Sequence, residues 1–225
     1  MADWQRAPQA VMLSAPAADP FWTSDAAFVS DFYSEILHQD TCRPETAHGV
    51  PLIAAVAVDD QVPERRRFGA VKLLFSAATV AERHLAECWP GSAPHLDADS
   101  EARTRAAVAS HTPDLLARWG AECPAARLAL AGLAVVFPTD RTPAALAPRL
   151  REFTHRHPPG TDIGDYTRFV LVLAAQDDDR TLAAVESYTD THWRGTPRGA
   201  PTRARALHLL GQMLDKVETD LARQP

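Results

Sequence analysis

The segment "PAARLALAGLAVVF", Pro124–Phe137, decides the fold class of this 225-residue chain. From Leu128 to Phe137 it is apolar on every face of a helix, so a helix here needs neighbours on several sides. The run is far shorter than the roughly 20 apolar residues that cross a bilayer. Proline at a first helical turn loses no hydrogen bond, because that amide has no partner within the helix. The segment therefore predicts a central helix in a helical protein.

Signals for a helix start recur along the chain. Each is a Ser, Thr or Pro that precedes a run of residues with helical periodicity. The one strand-like run, "FVLVL" at Phe169–Leu173, is flanked by polar segments and continues into alanines, so we interpret it as a buried helix. The sequence predicts an all-α fold. Its helices are expected to begin near Ser24, Pro44, Pro63, Pro124, Thr142 and Pro201.

Several of these helices begin alike. In "PERRRFGAVKLL", "PAARLALAGLAV" and "DYTRFVLVLAAQ" an arginine holds the fourth place, as Arg66, Arg127 and Arg168, and "PTRARALHLLGQ" follows more loosely. The spacing of the last two arginines fits a two-helix repeat of roughly 40 residues, and an insertion at Cys88–Ser100 would lengthen the first spacing. The alternation predicts an α-solenoid of about four to five stacked antiparallel helix pairs. The other member of each pair is expected within residues 50–58, 101–119, 143–155 and 181–188.

Two segments carry a resemblance to a known family. "FYSEILHQDTCRPETAHGVPLIAAV", Phe32–Val56, resembles a segment of bacterial HEAT-repeat proteins in which a His-Gln-Gly-Thr corner precedes an Ala-Val-Pro helix, with Asp40 here in the glycine's place. "CPAARLALAGLA" is similar to the second helix of a HEAT repeat. The resemblance covers roughly residues 24–220 and implies a HEAT-like α-solenoid, but it implies no reaction. We expect residues 24–225 to form a single repeat domain behind a partly disordered arm, residues 1–23.

The corner "HQDT", His38–Thr41, has a structural interpretation. His38 and Gln39 near a helix C-terminus can hydrogen-bond the last carbonyls, and Asp40 can adopt the left-handed conformation at the exit. Thr41 would then cap the turn into the next helix. The functional alternative, His38 as a base or ligand, lacks a partner that the sequence identifies.

Composition limits the classes of function. The net charge of −6 and the sequence pI of about 5.8 make nucleic acid an unlikely partner. Lysine is almost absent, with only Lys72 and Lys216, and a GC-rich coding bias explains that more simply than selection for arginine. The three scattered cysteines argue against a disulfide framework and a cysteine-rich zinc site. Neither a secretion signal nor a membrane span is recognisable, so we expect a cytoplasmic protein with no membrane partner.

Motifs for nucleotide hydrolysis, dinucleotide binding, hydrolase-fold esterases and zincins are missing, so no cofactor and no metal are predicted. Two His-containing loops, His155–Asp165 and Asp190–Pro201, should emerge along one edge of a solenoid. If the protein is an enzyme, acid-base chemistry there would use His157, Asp162 and His192. Ordinary loop chemistry is the simpler interpretation.

The in-phase arginines Arg66, Arg127 and Arg168 could line a concave groove and bind acidic groups. The alternative is that they pair with acidic residues of the preceding repeat. Trp193–Arg194 and the segment around Trp89 are the expected exposed aromatic anchors, whereas Trp119 and the two N-terminal tryptophans are expected to pack. The acidic residues placed for such pairing are Asp59, Asp60, Glu122 and Asp165.

Three functions follow from these patterns. The first is a binding or scaffold protein that holds a protein or peptide partner on its concave surface. The second is an enzyme or accessory protein that acts on a small molecule, for example in a biosynthetic pathway, through the His, Trp and Arg loops. The third resembles the HEAT-like alkylpurine DNA glycosylases, although their Trp and Asp constellation cannot be matched here residue by residue.

Overall fold

The computed structural model describes residues 37–38, 41–91, 96–192 and 198–223, without the side chains of residues 38, 190–192 and 221–223. Helices hold 78% of these residues, which confirms the all-α prediction. None of the described helices combines the length and the apolar character needed to cross a bilayer. The described helices are α1 (Thr46–Val58), α2 (Glu64–Ala78), α3 (Val80–Cys88), α4 (Ala98–Ala117), α5 (Pro124–Val136), α6 (Thr142–Arg156), α7 (Asp162–Ala174), α8 (Asp178–His192) and α9 (Thr202–Arg223).

The chain divides into two compact units. Among the described residues, unit 1 contains residues 37–80 and 96–130, and unit 2 contains residues 81–91 and 131–223. The boundary falls inside α5. The predicted arm, residues 1–23, and the helix expected near Ser24 lie outside the described residues, so the prediction of a single repeat domain from residue 24 stays a prediction.

Unit 1 is built around α1, which packs against α2 and α4, while α2 and α4 also contact each other. A 3₁₀ turn, Arg118–Gly120, follows α4. Trp119 within that turn is buried, as predicted. Apolar residues on the facing sides of the three helices remove area from water and thereby stabilise the unit. They include Val50, Ile53, Phe68, Leu74, Val108 and Leu115.

The prediction of a helix end at His38–Thr41 is wrong. Leu37–His38 (β1) pairs antiparallel with Thr41–Cys42 (β2), with Leu37 opposite Cys42. Both of these side chains are buried, and the Cys42 thiol lies 3.9 Å from the carbonyl oxygen of Ala77. Backbone groups at buried positions need hydrogen-bond partners, and the antiparallel pairing provides them for Leu37 and Cys42. The helix expected behind Pro44 is present and begins at Thr46.

Sequence reasoning missed α3. The helix predicted behind Pro63 ends at Ala78, and Thr79 separates it from α3, which begins at Val80. The Thr79 hydroxyl donates to the carbonyl of Phe75 at 2.9 Å, a local bond that competes with the helical ladder. Because no Gly or Pro marks this break, the usual signals do not reveal it. The predicted Cys88–Ser100 insertion is correspondingly shorter, since α4 begins at Ala98.

Unit 2 contains α6 to α9, together with most of α3 and the C-terminal part of α5. Helix α7 packs against α6 and α9, and α8 packs mainly against α9. The run Phe169–Leu173 lies inside α7, which confirms its interpretation as a helix. The ring of Phe169 meets that of Tyr188 edge to face, with centroids 5.6 Å apart. On α9 the residues Leu207, Leu210, Leu214 and Val217, spaced by three or four positions, are buried.

Helix α5 shows why an all-round apolar pattern demands neighbours. Every residue from Leu128 to Val136 is buried. The helix begins at Pro124, as predicted. The predicted starts behind Pro63, at Thr142 and behind Pro201 are likewise confirmed by α2, α6 and α9.

Candidate functional site

The in-phase arginines Arg127 and Arg168 cap preceding helical segments. Arg127 donates from Nε to the carbonyl of Trp119 at 3.0 Å and from Nη2 to that of Gly120 at 3.3 Å. Arg168 reaches the carbonyls of Thr154 (3.2 Å) and His157 (3.0 Å) at the end of α6. The last carbonyls of a helix have no intrahelical donor, and positive charge there also complements the helix dipole. Arg127 and Arg168 therefore have the same capping role, one in each unit.

Two further arginines, which do not hold the fourth place of an aligned helix start, also cap helix ends. Arg105 of α4 donates from Nη1 to the carbonyl of Ala78, the last residue of α2, at 2.5 Å. Arg203 of α9 donates from Nη2 to the carbonyls of Val135 (2.6 Å) and Val136 (3.3 Å) at the end of α5. A planar guanidinium offers several donors in a fixed fork, which suits a row of carbonyls better than a lysine ammonium. Arginine in this chain thus has a structural use.

The predicted pairing of the in-phase arginines with acidic residues takes another form. Glu122 accepts a hydrogen bond from Nε of Arg67 at 3.1 Å, and Arg66 is buried. Asp60 pairs with Arg118, and the guanidinium of Arg118 also lies 3.4 Å from Glu122. Hydrogen bonding to Arg118 lowers the pKa of Asp60, and Asp60 in turn raises the pKa of Arg118. The geometry favours a structural interpretation of these arginines over a ligand-binding one.

The two remaining predicted acidic partners accept bonds from backbone amides. Asp59 accepts from the amide of Gln61 at 2.8 Å. Asp165 accepts from the amide of Gly160 at 2.8 Å, across the loop that joins α6 to α7. Gly160 has a φ of 86°, a conformation that glycine adopts without a steric cost. Asp165 thereby holds a tight turn.

Two of the three predicted catalytic residues lie at the two ends of that α6–α7 loop. His157 caps α6 by donating its amide to Phe153, and Asp162 is the first residue of α7. Partial burial, helped by the charge of Arg156, lowers the pKa of His157, so its neutral form is favoured. The third residue, His192, ends α8, and its side chain lies outside the described part, as do Trp193 and Arg194. Among the described residues, no group of three His, Cys, Asp or Glu side chains could hold a metal ion.

A buried polar cluster in unit 2 was missed by sequence reasoning. We call it the Arg205 cluster, and it consists of Arg205 and His208 of α9, Glu186 of α8 and Glu87 of α3. Nη1 of Arg205 donates to Glu186 at 2.7 Å, and Nδ1 of His208 lies 3.2 Å from Glu87. The bond from Arg205 lowers the pKa of Glu186. Both α9 side chains are buried, whereas both carboxylates reach solvent.

The signal for this cluster was present in α9. Arg205 and His208 interrupt the run Ala204–Leu210, in which every residue is buried. A helix turns about 100° per residue, so positions three apart share a face. Charged groups are rarely buried in such a run without partners. The partners come from α3 and α8, which contact α9 in the folded protein. No local sequence pattern reveals these tertiary contacts.

Trp89 stands beside this cluster and is 39% exposed, as predicted for an aromatic anchor. Its indole Nε1 would lie 3.1 Å from a Cβ placed on Gly199, so the ring rests against that glycine. The preceding residue, Arg198, offers its carbonyl to Nη1 of Arg205 at 3.4 Å. The turn at Arg198–Gly199 therefore contacts both the exposed indole and the buried guanidinium.

A second feature of unit 2 is a shallow surface hollow of about 560 Å³ on α6. The face opposite to it carries the buried residues Leu146, Leu150 and Phe153. An ion pair between Arg156 and Glu152 at 2.6 Å lies within the hollow. Exposed ion pairs of this kind contribute little to stability. The lining residues are Pro148, Arg151, Glu152, His155 and Arg156.

The fold thus defines an all-helical protein with a buried charged cluster in one unit. Comparisons with protein-family models, with curated proteins and with solved structures found no match.

Proposed function

We propose that this chain is a non-enzymatic binding protein with HEAT-like stacked helix pairs, and that it holds a protein or peptide partner. Support for the stacking comes from contacts within each unit: α1 with α2 and α4, and α7 with α6 and α9. These are the contacts that paired and successive helices of a repeat make. The equivalent caps made by Arg127 and Arg168 also suit a repeated helix pair.

The observation that carries the partner-binding proposal is an exposed apolar pair on α3. Leu85 and Trp89 are one helical turn apart on α3 and its C-terminal extension, and they are 37% and 39% exposed. Tryptophan contributes more than most residues to protein interfaces, because it brings a large rigid area with one polar atom. Leu182 of α8, 41% exposed, adds an apolar side chain to the same unit.

A photo-reactive cross-linking residue at position 89 tests the proposal, with the same residue at the exposed position 179 as the control. The partner captured at position 89 is then purified and its affinity measured. We expect Trp89→Ala to weaken binding by about tenfold or more, because truncating a central anchor leaves its contacts unmade. The control Asp179→Ala should bind like the wild type. If Trp89→Ala and Leu85→Ala both bind the partner unchanged, the proposal is wrong.

The Arg205 cluster favours a second candidate, a protein that binds a small molecule as an enzyme or an accessory protein. In this cluster a buried arginine and a buried histidine of α9 meet carboxylates of two other helices, and the pKa of Glu186 is lowered. Perturbed pKa values are concentrated at functional sites. A test is calorimetric titration of the protein with small carboxylic acids. No heat of binding with any of them would remove this candidate.

A further inference from the structure

Arg205 has an unusual hydrogen-bond inventory. It is the largest fully buried side chain among the described residues, with 1% of its surface exposed. Its Nη1 is occupied by Glu186 at 2.7 Å and by the carbonyl of Arg198 at 3.4 Å. Its Nε and Nη2 are also buried, and they meet no acceptor among the described residues. Because arginine stays charged at every accessible pH, the group cannot lose a proton to relieve this deficit.

The two donors in question form one chemical unit. Nε–H and one N–H of Nη2 point the same way along one edge of the guanidinium, and their spacing matches the two oxygens of a carboxylate. A buried donor without a partner is costly, so native structures rarely keep one without a reason. A single neutral carbonyl cannot match both donors as well as a carboxylate, and the positive charge further favours an anion.

The Nη1 side of the guanidinium lies close to solvent. Glu186, the carboxylate bound to Nη1, is 45% exposed, so one side chain separates the guanidinium from water. The turn at Arg198–Gly199 is exposed and supports the indole of Trp89. The other carboxylate of the cluster, Glu87, lies against His208. The turn at Arg198–Gly199 thus contacts the exposed indole at Gly199 and Nη1 of the buried guanidinium at Arg198.

We propose that the Nε–Nη2 edge of Arg205 binds the carboxylate of an apolar carboxylic acid whose apolar group lies against Trp89. A free acid and the C-terminal residue of a peptide share this chemistry, and the experiment distinguishes them. The inference is independent of the first proposed function, because it requires neither stacked repeats nor a protein partner, and it rests on the second candidate, whose ligand class and binding edge it specifies.

The first experiment uses the unmodified protein. N-acetyl-leucine and its neutral analogue N-acetyl-leucinamide are titrated while the ¹⁵N–¹H signal of the Arg205 Nε–H is followed by NMR. We expect the acid to shift this signal in a saturable way and the amide to bind about tenfold more weakly or worse, because its carboxamide is neutral and offers one acceptor oxygen where the carboxylate offers two. A tripeptide ending in a leucine carboxylate is the second arm. Tighter binding of the tripeptide assigns the site to peptide C-termini, and equal or weaker binding assigns it to free acids.

Variants provide the second experiment. Arg205→Lys keeps the charge but loses the two-pronged edge, and we expect it to bind N-acetyl-leucine about tenfold more weakly. The matched control is Arg180→Gln on the exposed face of α8, which should bind like the wild type. Far-ultraviolet circular dichroism establishes that both variants are folded.

Two results would overturn the inference. One is equal binding of the acid and the amide by the wild type. The other is an Arg205 Nε–H signal that the acid leaves unchanged and that shows contact with a long-lived water. In that case an internal water molecule, and not a carboxylate, is the acceptor for the Nε–Nη2 edge. Both results come from the wild type, so they stand even if Arg205→Lys does not fold. Neither depends on cross-linking at position 89, so the inference and the proposed function can fail separately.

Discussion

At the scale of single residues, Gly164 shows how much a missing side chain can determine. A Cβ there would collide with the carbonyl oxygen of Pro158 and lie 2.7 Å from that of His157. It would also lie 2.6 Å from Oγ1 of Thr161, the N-cap that accepts the Gly164 amide. The loop was recognisable from its prolines and glycines. Its histidines drew attention as possible catalysts, while the close approach of backbone to Gly164 depends on carbonyl positions that no residue pattern specifies.

We therefore predict that Gly164→Ala lowers the free energy of unfolding by about 3 kcal/mol, because backbone must move to admit the methyl group. The measurement is urea denaturation followed by circular dichroism. Gly120→Ala is the matched control: a Cβ at Gly120 meets nothing within 4 Å. That control should change stability by less than about 0.5 kcal/mol. If both variants lose the same free energy of unfolding, close contacts around Gly164 are not the cause of the loss.

At the scale of secondary-structure elements, prolines and apolar periodicity located the starts of α2, α5, α6 and α9 within a residue or two. Helix ends were harder to predict, because the groups that close them come from distant elements. The phase of Arg127 and Arg168 was visible in the sequence. Their acceptors were expected to be carboxylates, whereas the structure supplies backbone carbonyls. Sequence spacing shows where a donor lies on its own helix but not which helix end it meets.

Arg168 allows a test of this capping. Arg168→Gln should lower the free energy of unfolding by about 2 kcal/mol, since charged hydrogen bonds to three carbonyls are lost. Thermal and urea denaturation measure the change. Arg180→Gln, an exposed arginine in α8, should stay within about 0.5 kcal/mol of the wild type. If the two variants lose equal stability, the arginine at position 168 is not a cap.

At the scale of the whole molecule, composition and periodicity predicted the helical class, and the structure confirms it. The helix stack remains a proposal. The Arg205 cluster was beyond prediction because its members come from α3, α8 and α9, and α3 itself was not recognised. Buried polar residues in an apolar run can be found by inspection, but their partners depend on tertiary contacts.

The charge of the whole chain provides a test of the glycosylase alternative. Acidic residues outnumber Lys and Arg, 29 to 23, so the net charge disfavours binding to a DNA duplex. At about 50 mM salt we expect no binding to an alkylated DNA duplex tighter than about 10⁻⁴ M by fluorescence anisotropy. Tight binding that weakens steeply with added salt would instead support the DNA glycosylase.

The arginine caps also bear on how the chain folds as it leaves the ribosome. In all four cases the guanidinium comes later in the sequence than the carbonyls it closes: Arg105 follows Ala78 by 27 residues, and Arg203 follows Val135 by 68. Synthesis runs from the N-terminus, so each helix emerges before the group that completes it. The C-terminal turn of α5 must wait longest, until the start of α9 has been made.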